Sequence, residues 1–120
     1  MRWLVDSNCT VHAFTLIDGI EVDLVSYCRL QWRAQKSGSQ WLIAGLRSIY
    51  IRDAIALVIP QKAPKLDLKL LARLRPSYRF IAYLTRKAGN NVRDDLPGVD
   101  RPDTVVVLRA GEQKWLTQIS

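Results

Sequence analysis

His12 is the only histidine in this 120-residue chain, and it is the side chain best suited to exchanging protons near neutral pH. What it can do depends on its neighbours. Asp23, Tyr27 and Tyr50 complete a candidate catalytic set. A carboxylate can orient an imidazole or pass a proton, and a phenol can stabilise an enolate or oxyanion. Arg47, Arg52 and Asp53 are the candidate ligand-pocket residues. These types suit acid–base chemistry on a small molecule and call for no cofactor. One histidine and two cysteines exclude a His-pair metal motif and a four-thiolate zinc site, so no metal is expected. No glycine cluster precedes a helix, and no nucleophile elbow is present.

Three strands must position these groups. Cys9 to Ile17 is rich in β-branched and aromatic residues. Asp18-Gly19 follows as a two-residue hairpin turn, because both positions tolerate positive φ. A second strand is expected from about Ile20 to Ala34, a turn at Ser37-Gly38, and a third strand from about Trp41 to Asp53 or onward to Ile59. Pro60 and Pro64 close the sheet region. The rest reads as helix. Asp67 caps a short segment to about Leu74, and Pro76 opens a second helix ending near Gly89. Asn90 to Asp100 is loop. A last helix is expected from Asp100 or Pro102 to about Thr117, against the strand propensity of Val105, Val106 and Val107.

The turns predict a register. Around Asp18-Gly19, Cys9 faces Cys28, Val11 faces Ser26 and Ala13 faces Leu24. With no signal for secretion, that cysteine pair is expected as two reduced, packed thiols. Around Ser37-Gly38, Cys28 would face Arg47, Leu24 would face Ile51 and Trp32 would face Ile43. This side is nearly all apolar and reads as the core face, with Arg47 and Asp53 as its polar exceptions. The other side collects rows Thr10–Tyr27–Ser48, His12–Val25–Tyr50 and Phe14–Asp23–Arg52. It reads either as a pocket wall or as a mixed outer or dimer face with an Asp23–Arg52 ion pair.

Composition narrows the class. An apolar share of 48% with 24% charge excludes wholesale disorder, and no run of about 18 apolar residues is available for a membrane span. An acid at position 6 breaks any leader pattern, so a cytoplasmic location is expected. The net charge of +7 resides between Lys62 and Lys87, where eight basic residues meet one acid. That segment is either a solvated helix face or an anion-binding surface, and nucleic acid is the less favoured partner.

The ordered segments Gly19–Asp23, Tyr27–Arg29, Ile43–Asp53, Ala63–Asp67, Leu74–Tyr83, Asp95–Gly98, Asp100–Pro102 and Lys114–Leu116 resemble SnoaL-like proteins of the nuclear-transport-factor-two-like superfamily. The resemblance runs from about Gly19 to Leu116. It implies a single α+β domain over residues 1–120: a curved antiparallel sheet of three long strands with two to three C-terminal helices, cone-like around an apolar pocket. It also implies a homodimer and a small apolar ligand, with isomerase, cyclase or dehydratase chemistry among the activities of such proteins. A non-catalytic, homodimerising module is the alternative. Asp23, Tyr27, Arg47, Tyr50 and Asp53 match the pattern position by position. One departure is large: the N-terminal helices that plug the wide end of the cone are expected to be missing here.

Overall fold

The computed structural model describes residues 1–118. Three antiparallel strands, β1 (Arg2–Ile17), β2 (Ile20–Ser37) and β3 (Gln40–Leu57), form one sheet in the order β1-β2-β3. Helices α1 (Leu68–Arg73), α2 (Arg79–Lys87) and α3 (Pro102–Thr117) follow, with a 3₁₀ turn at Pro76–Tyr78 leading into α2. The chain is an α+β protein, as its sequence indicates. Strands of this length set the 54 Å long axis.

Local chemistry explains the punctuation. Asp18 and Gly19 both hold positive φ (50° and 79°), which is the backbone of a tight hairpin turn. The Asp67 carboxylate accepts from Leu70 N–H and caps α1. Proline stands in the first turn of both the 3₁₀ segment and α3, where no intrahelical donor is lost. Val105, Val106 and Val107 are helical despite their strand propensity.

The β1–β2 register is the expected one, with Cys9 opposite Cys28 and both thiols free. β1 nevertheless begins at Arg2, well before Cys9. The β2–β3 register departs from expectation. Ser37 pairs with Gln40, so the turn residues are Gly38 and Ser39. Register shifts at Arg33/Ala34 and Tyr27/Cys28 then leave Ala44 and Ile51 as extra residues of β3. Cys28 therefore faces Tyr50 rather than Arg47, and Leu24 faces Ile55 rather than Ile51.

The helices cover opposite faces of the sheet at its two ends. Near the first turn, the face bearing Val22, Ser26 and Cys28 is buried against Leu71, Tyr78, Ala82 and Tyr83. Asp53 belongs to this face and reaches α2. Near the second turn, α3 lies on the other face. Arg33, Asp6 and Arg2 bind Glu112, Arg109 and the Trp115 carbonyl there, and Ile49 and Gln31 are buried. The expectation of one apolar side sheltered throughout is thus corrected. It holds for β2 near the first turn, whereas Val11 and Ala13 of β1 lie exposed on the same face there and Trp3, Ile43 and Leu46 lie exposed at the other end.

The crossing occurs at the edge of β3. Tyr50 N–H donates to Pro97 O, and Val99 N–H donates to Tyr50 O, so the 90–101 loop is stitched to the strand before α3 begins. Asp100 anchors this loop. Its carboxylate takes two bonds from Arg75 (2.9 and 2.7 Å) and one from Ser77 Oγ. Arg75 also donates to the Leu96 carbonyl at 2.6 Å. Gly98 packs so closely here that a Cβ would lie 2.7 Å from Asp100 Oδ1 and 2.8 Å from Arg75 Nη2.

Candidate active site

Pleat alternation along β1 and β2 brings His12 and Asp23 onto one face, diagonally across the first hairpin. His12 Nδ1 lies 2.8 Å from Asp23 Oδ2. A carboxylate acceptor selects the tautomer with the proton on Nδ1 and leaves Nε2 as the basic nitrogen. Asp23 Oδ1 is buried without a hydrogen-bond partner, while His12 is about half exposed. The dyad is therefore held from behind and open in front. Among the described residues, Nε2 has no protein partner. Phe14, opposite Asp23 in the register, is largely exposed on the same face, and it lines a groove with Glu21, Val22 and Val58 that includes neither His12 nor Asp23.

The corrected register sorts the other candidates. The rows are Thr10–Tyr27–Arg52, His12–Val25–Ala54 and Phe14–Asp23–Ala56. Arg52 consequently does not pair with Asp23. Its guanidinium stacks 4.2 Å from the centroid of the Tyr27 ring. Tyr27 and Arg52 share the dyad's face, one row away. Tyr50 does not. The extra residue Ile51 turns it to the helix-covered side, where its ring lies 5.2 Å from that of Tyr78. Burial pushes the Tyr50 hydroxyl above the usual phenol range, and Cys28 and Tyr78 add to it. Burial likewise raises the Cys28 thiol, with Cys9 adding to the effect.

Asp53 and Arg47 are also separated from the dyad. Asp53 accepts from the N–H groups of Phe80 (3.1 Å) and Ile81 (2.9 Å) and so satisfies free donors in the first turn of α2. Burial raises its carboxyl, and those two bonds and Arg79 oppose the rise. Arg47 is exposed beneath α3, at the far end of the dyad's face. It borders a groove of about 500 Å³ formed with α3 and the 93–97 loop. No cluster of three or more His, Cys, Asp or Glu side chains suited to a metal occurs among the described residues.

Two buried ion pairs escape a sequence reading. Arg33 meets Glu112 through three hydrogen bonds of 2.7 to 3.1 Å, with only 3% of the Glu112 side chain exposed. The available signal is an acid on the Leu108–Glu112–Trp115 stripe of α3. The Arg75–Asp100 pair joins residues with no periodic relation. It also removes Arg75 from the basic surface of the 62–87 segment, as Lys87 is partly removed by Asp18.

No known family model matches the chain. Over 83 residues, 68% of its length, it is 32% identical to a PEP2-like protein of Fusarium vanettenii, covering 36% of that protein. Over 103 residues, 81% of its length, it is 32% identical to an uncharacterized protein of Emericella nidulans, covering 43% of it. The chain thus spans about two-fifths of the length of the curated relatives it matches. Among the described residues, no helix is long and apolar enough to cross a membrane.

Proposed function

We propose that the chain is a SnoaL-like small-molecule pocket protein in which His12, oriented by Asp23, serves as a cofactor-independent general acid–base. The observation that carries this reading is the 2.8 Å Nδ1–Oδ2 contact on an exposed face, with the apolar Phe14 on that face opposite Asp23 in the register. Asp23 holds the tautomer. Nε2 removes a proton α to a carbonyl and returns it elsewhere on the substrate, as an isomerisation, cyclisation or dehydration requires. Tyr27, on the same face, would stabilise developing oxyanion charge.

The test is α-proton exchange of 2-tetralone, an apolar enolisable ketone, followed by NMR in D₂O. Wild-type protein should accelerate exchange on the order of a hundredfold over His12→Gln, the lower range for a positioned base. Asp23→Asn should fall between the two. Equal rates for wild type and His12→Gln would remove the acid–base role.

A second reading, a homodimerising module, is favoured by the uncovered face at the second-turn end. Trp3 (56% exposed), Ile43 (70% exposed), Trp41, Val5 and Leu46 present apolar surface there. Together they offer roughly 500 Å² per copy, so a face-to-face pair buries about 1,000 Å², the lower bound of a specific interface. Sedimentation should show a dimer that Ile43→Lys converts to monomer. A wild-type monomer at about 100 μM would exclude this interface.

A further inference from the structure

We propose that the groove between α3, the 93–97 loop and the second-turn end of the sheet is a binding site for an amphipathic carboxylate, anchored by Arg47. The site lies about 20 Å from the His12–Asp23 dyad, the rise of β2 from Val25 to Gln31, which face His12 and Arg47 respectively. It therefore stands apart from the acid–base proposal.

The charge arrangement gives the sign of the ligand. Three carboxylates line the groove, and each has its own arginine: Glu112 with Arg33 at 2.7 Å, Asp95 with Arg93 at 2.7 Å, and Asp103 with Arg101 at 3.1 Å. Arg47 has no carboxylate among the described residues. One Nη1–H reaches the Leu46 carbonyl at 3.1 Å, which leaves most of its donor fork unused. A planar, two-oxygen acceptor suits that fork best.

The walls give the ligand's body. Leu96, Pro97, Val107 and Leu108 make the lining mostly apolar, and a volume of about 500 Å³ falls within the range of small-molecule sites. Gly111 provides an independent observation. It sits inside α3, where glycine weakens a helix relative to alanine. A Cβ built there meets nothing within 4 Å, so packing does not require the glycine. Its missing side chain does keep the groove open. Gly45 acts from the sheet side. A Cβ there would lie 3.2 Å from Arg33 Cδ, so glycine lets Arg33 lie flat across the strand toward Glu112.

The probe is 2-naphthoate, with 2-naphthamide as its uncharged isostere, each titrated into the whole chain by ligand-observed NMR or calorimetry. Naphthoate should bind about tenfold more tightly than the amide, and Arg47→Gln should erase that difference. Gly111→Leu should abolish binding while leaving the melting temperature equal or higher, because it fills the groove and improves helix propensity. Arg52→Gln and His12→Gln should bind as wild type does. Unchanged affinity in either Arg47→Gln or Gly111→Leu would overturn the proposal, as would no naphthoate binding up to about 5 mM.

Discussion

Replacing Asp100 by asparagine tests what attaches α3 to the sheet. In the native chain, the Arg75 guanidinium beside Asp100, with help from Ser77, holds its carboxyl down at about 2, against an ordinary value of 3.8. Only 14% of the Asp100 side chain and 12% of Arg75 are exposed, so solvent screening removes little of the interaction. The depression corresponds to roughly 2.5 kcal/mol of stability, at about 1.4 kcal/mol per unit. Because the folded value lies below the unfolded one, this stabilisation is complete above about pH 4 and disappears as pH falls toward 2. Asparagine does not titrate. Asp100→Asn should therefore lose about 2 to 3 kcal/mol at pH 7, with Arg75 still held by the Tyr78 hydroxyl and the Asp94 and Leu96 carbonyls. Urea unfolding at pH 7, 5, 4, 3 and 2.5 reads both quantities. The gap between wild type and variant should narrow steadily below about pH 4. A gap that stays constant down to pH 2.5 would refute the ion-pair account and leave only a shape effect.

Three further perturbations separate other parts of the structure. Glu112→Ala should cost about 3 kcal/mol in urea unfolding, since it strands the Arg33 guanidinium beneath α3, and Glu112→Gln should cost less. Equal, small losses would show that the pair is dispensable. Asp53→Ala should cost about 1 to 2 kcal/mol by freeing the Phe80 and Ile81 N–H groups, whereas Asp53→Asn keeps an acceptor and should lose less. Since burial raises the Asp53 carboxyl, its contribution declines as pH climbs from the ordinary carboxylate range through the raised folded value. Asp53→Asn should abolish that decline in a pH series of unfolding curves. Finally, Cys28 is buried and its thiol raised, so iodoacetamide at pH 8 should leave it unmodified until denaturant is added, while the partly exposed Cys9 reacts. Peptide mass mapping that finds both labelled at equal rates would contradict the packing.

Much of the first hairpin is legible in the residues because one local device determines it. Asp18-Gly19 demands positive φ at two positions, and that demand sets every pair from Ile17–Ile20 to Arg2–Gln35. The Cys9–Cys28 pair and the shared face of His12 and Asp23 follow from it. The start of β1 is harder to read. Arg2, Asp6 and Asn8 interrupt the strand-like pattern before Cys9, although Arg2 and Asp6 in fact bind α3. The helix boundaries are marked by Asp67, Pro76 and Pro102. The Arg75–Asp100 and Arg33–Glu112 pairs are set by tertiary approach, and no spacing rule announces them.

The second hairpin shows where pattern reasoning stops, and why that matters for chemistry. A strand's side chains alternate only while the ladder is unbroken, and each extra residue reverses the assignment beyond it. Ala44 and Ile51 do this twice in β3. Ile51 separates Tyr50 from Arg52, sending the phenol to the helices and the guanidinium to Tyr27 on the histidine side. Twist gives the physical cause. Strands of 16 to 18 residues accumulate so much of it that one flat layer of helices cannot follow either face from end to end. The bulges bend β3, the 90–101 loop crosses its edge at Tyr50, and α3 covers the face that α1 and α2 leave open. Two uncovered half-faces remain as a consequence. One carries the His12–Asp23 dyad and the other carries Trp3, Trp41 and Ile43, so the same geometry exposes both the dyad of the proposed acid–base site and the apolar surface of the proposed dimer.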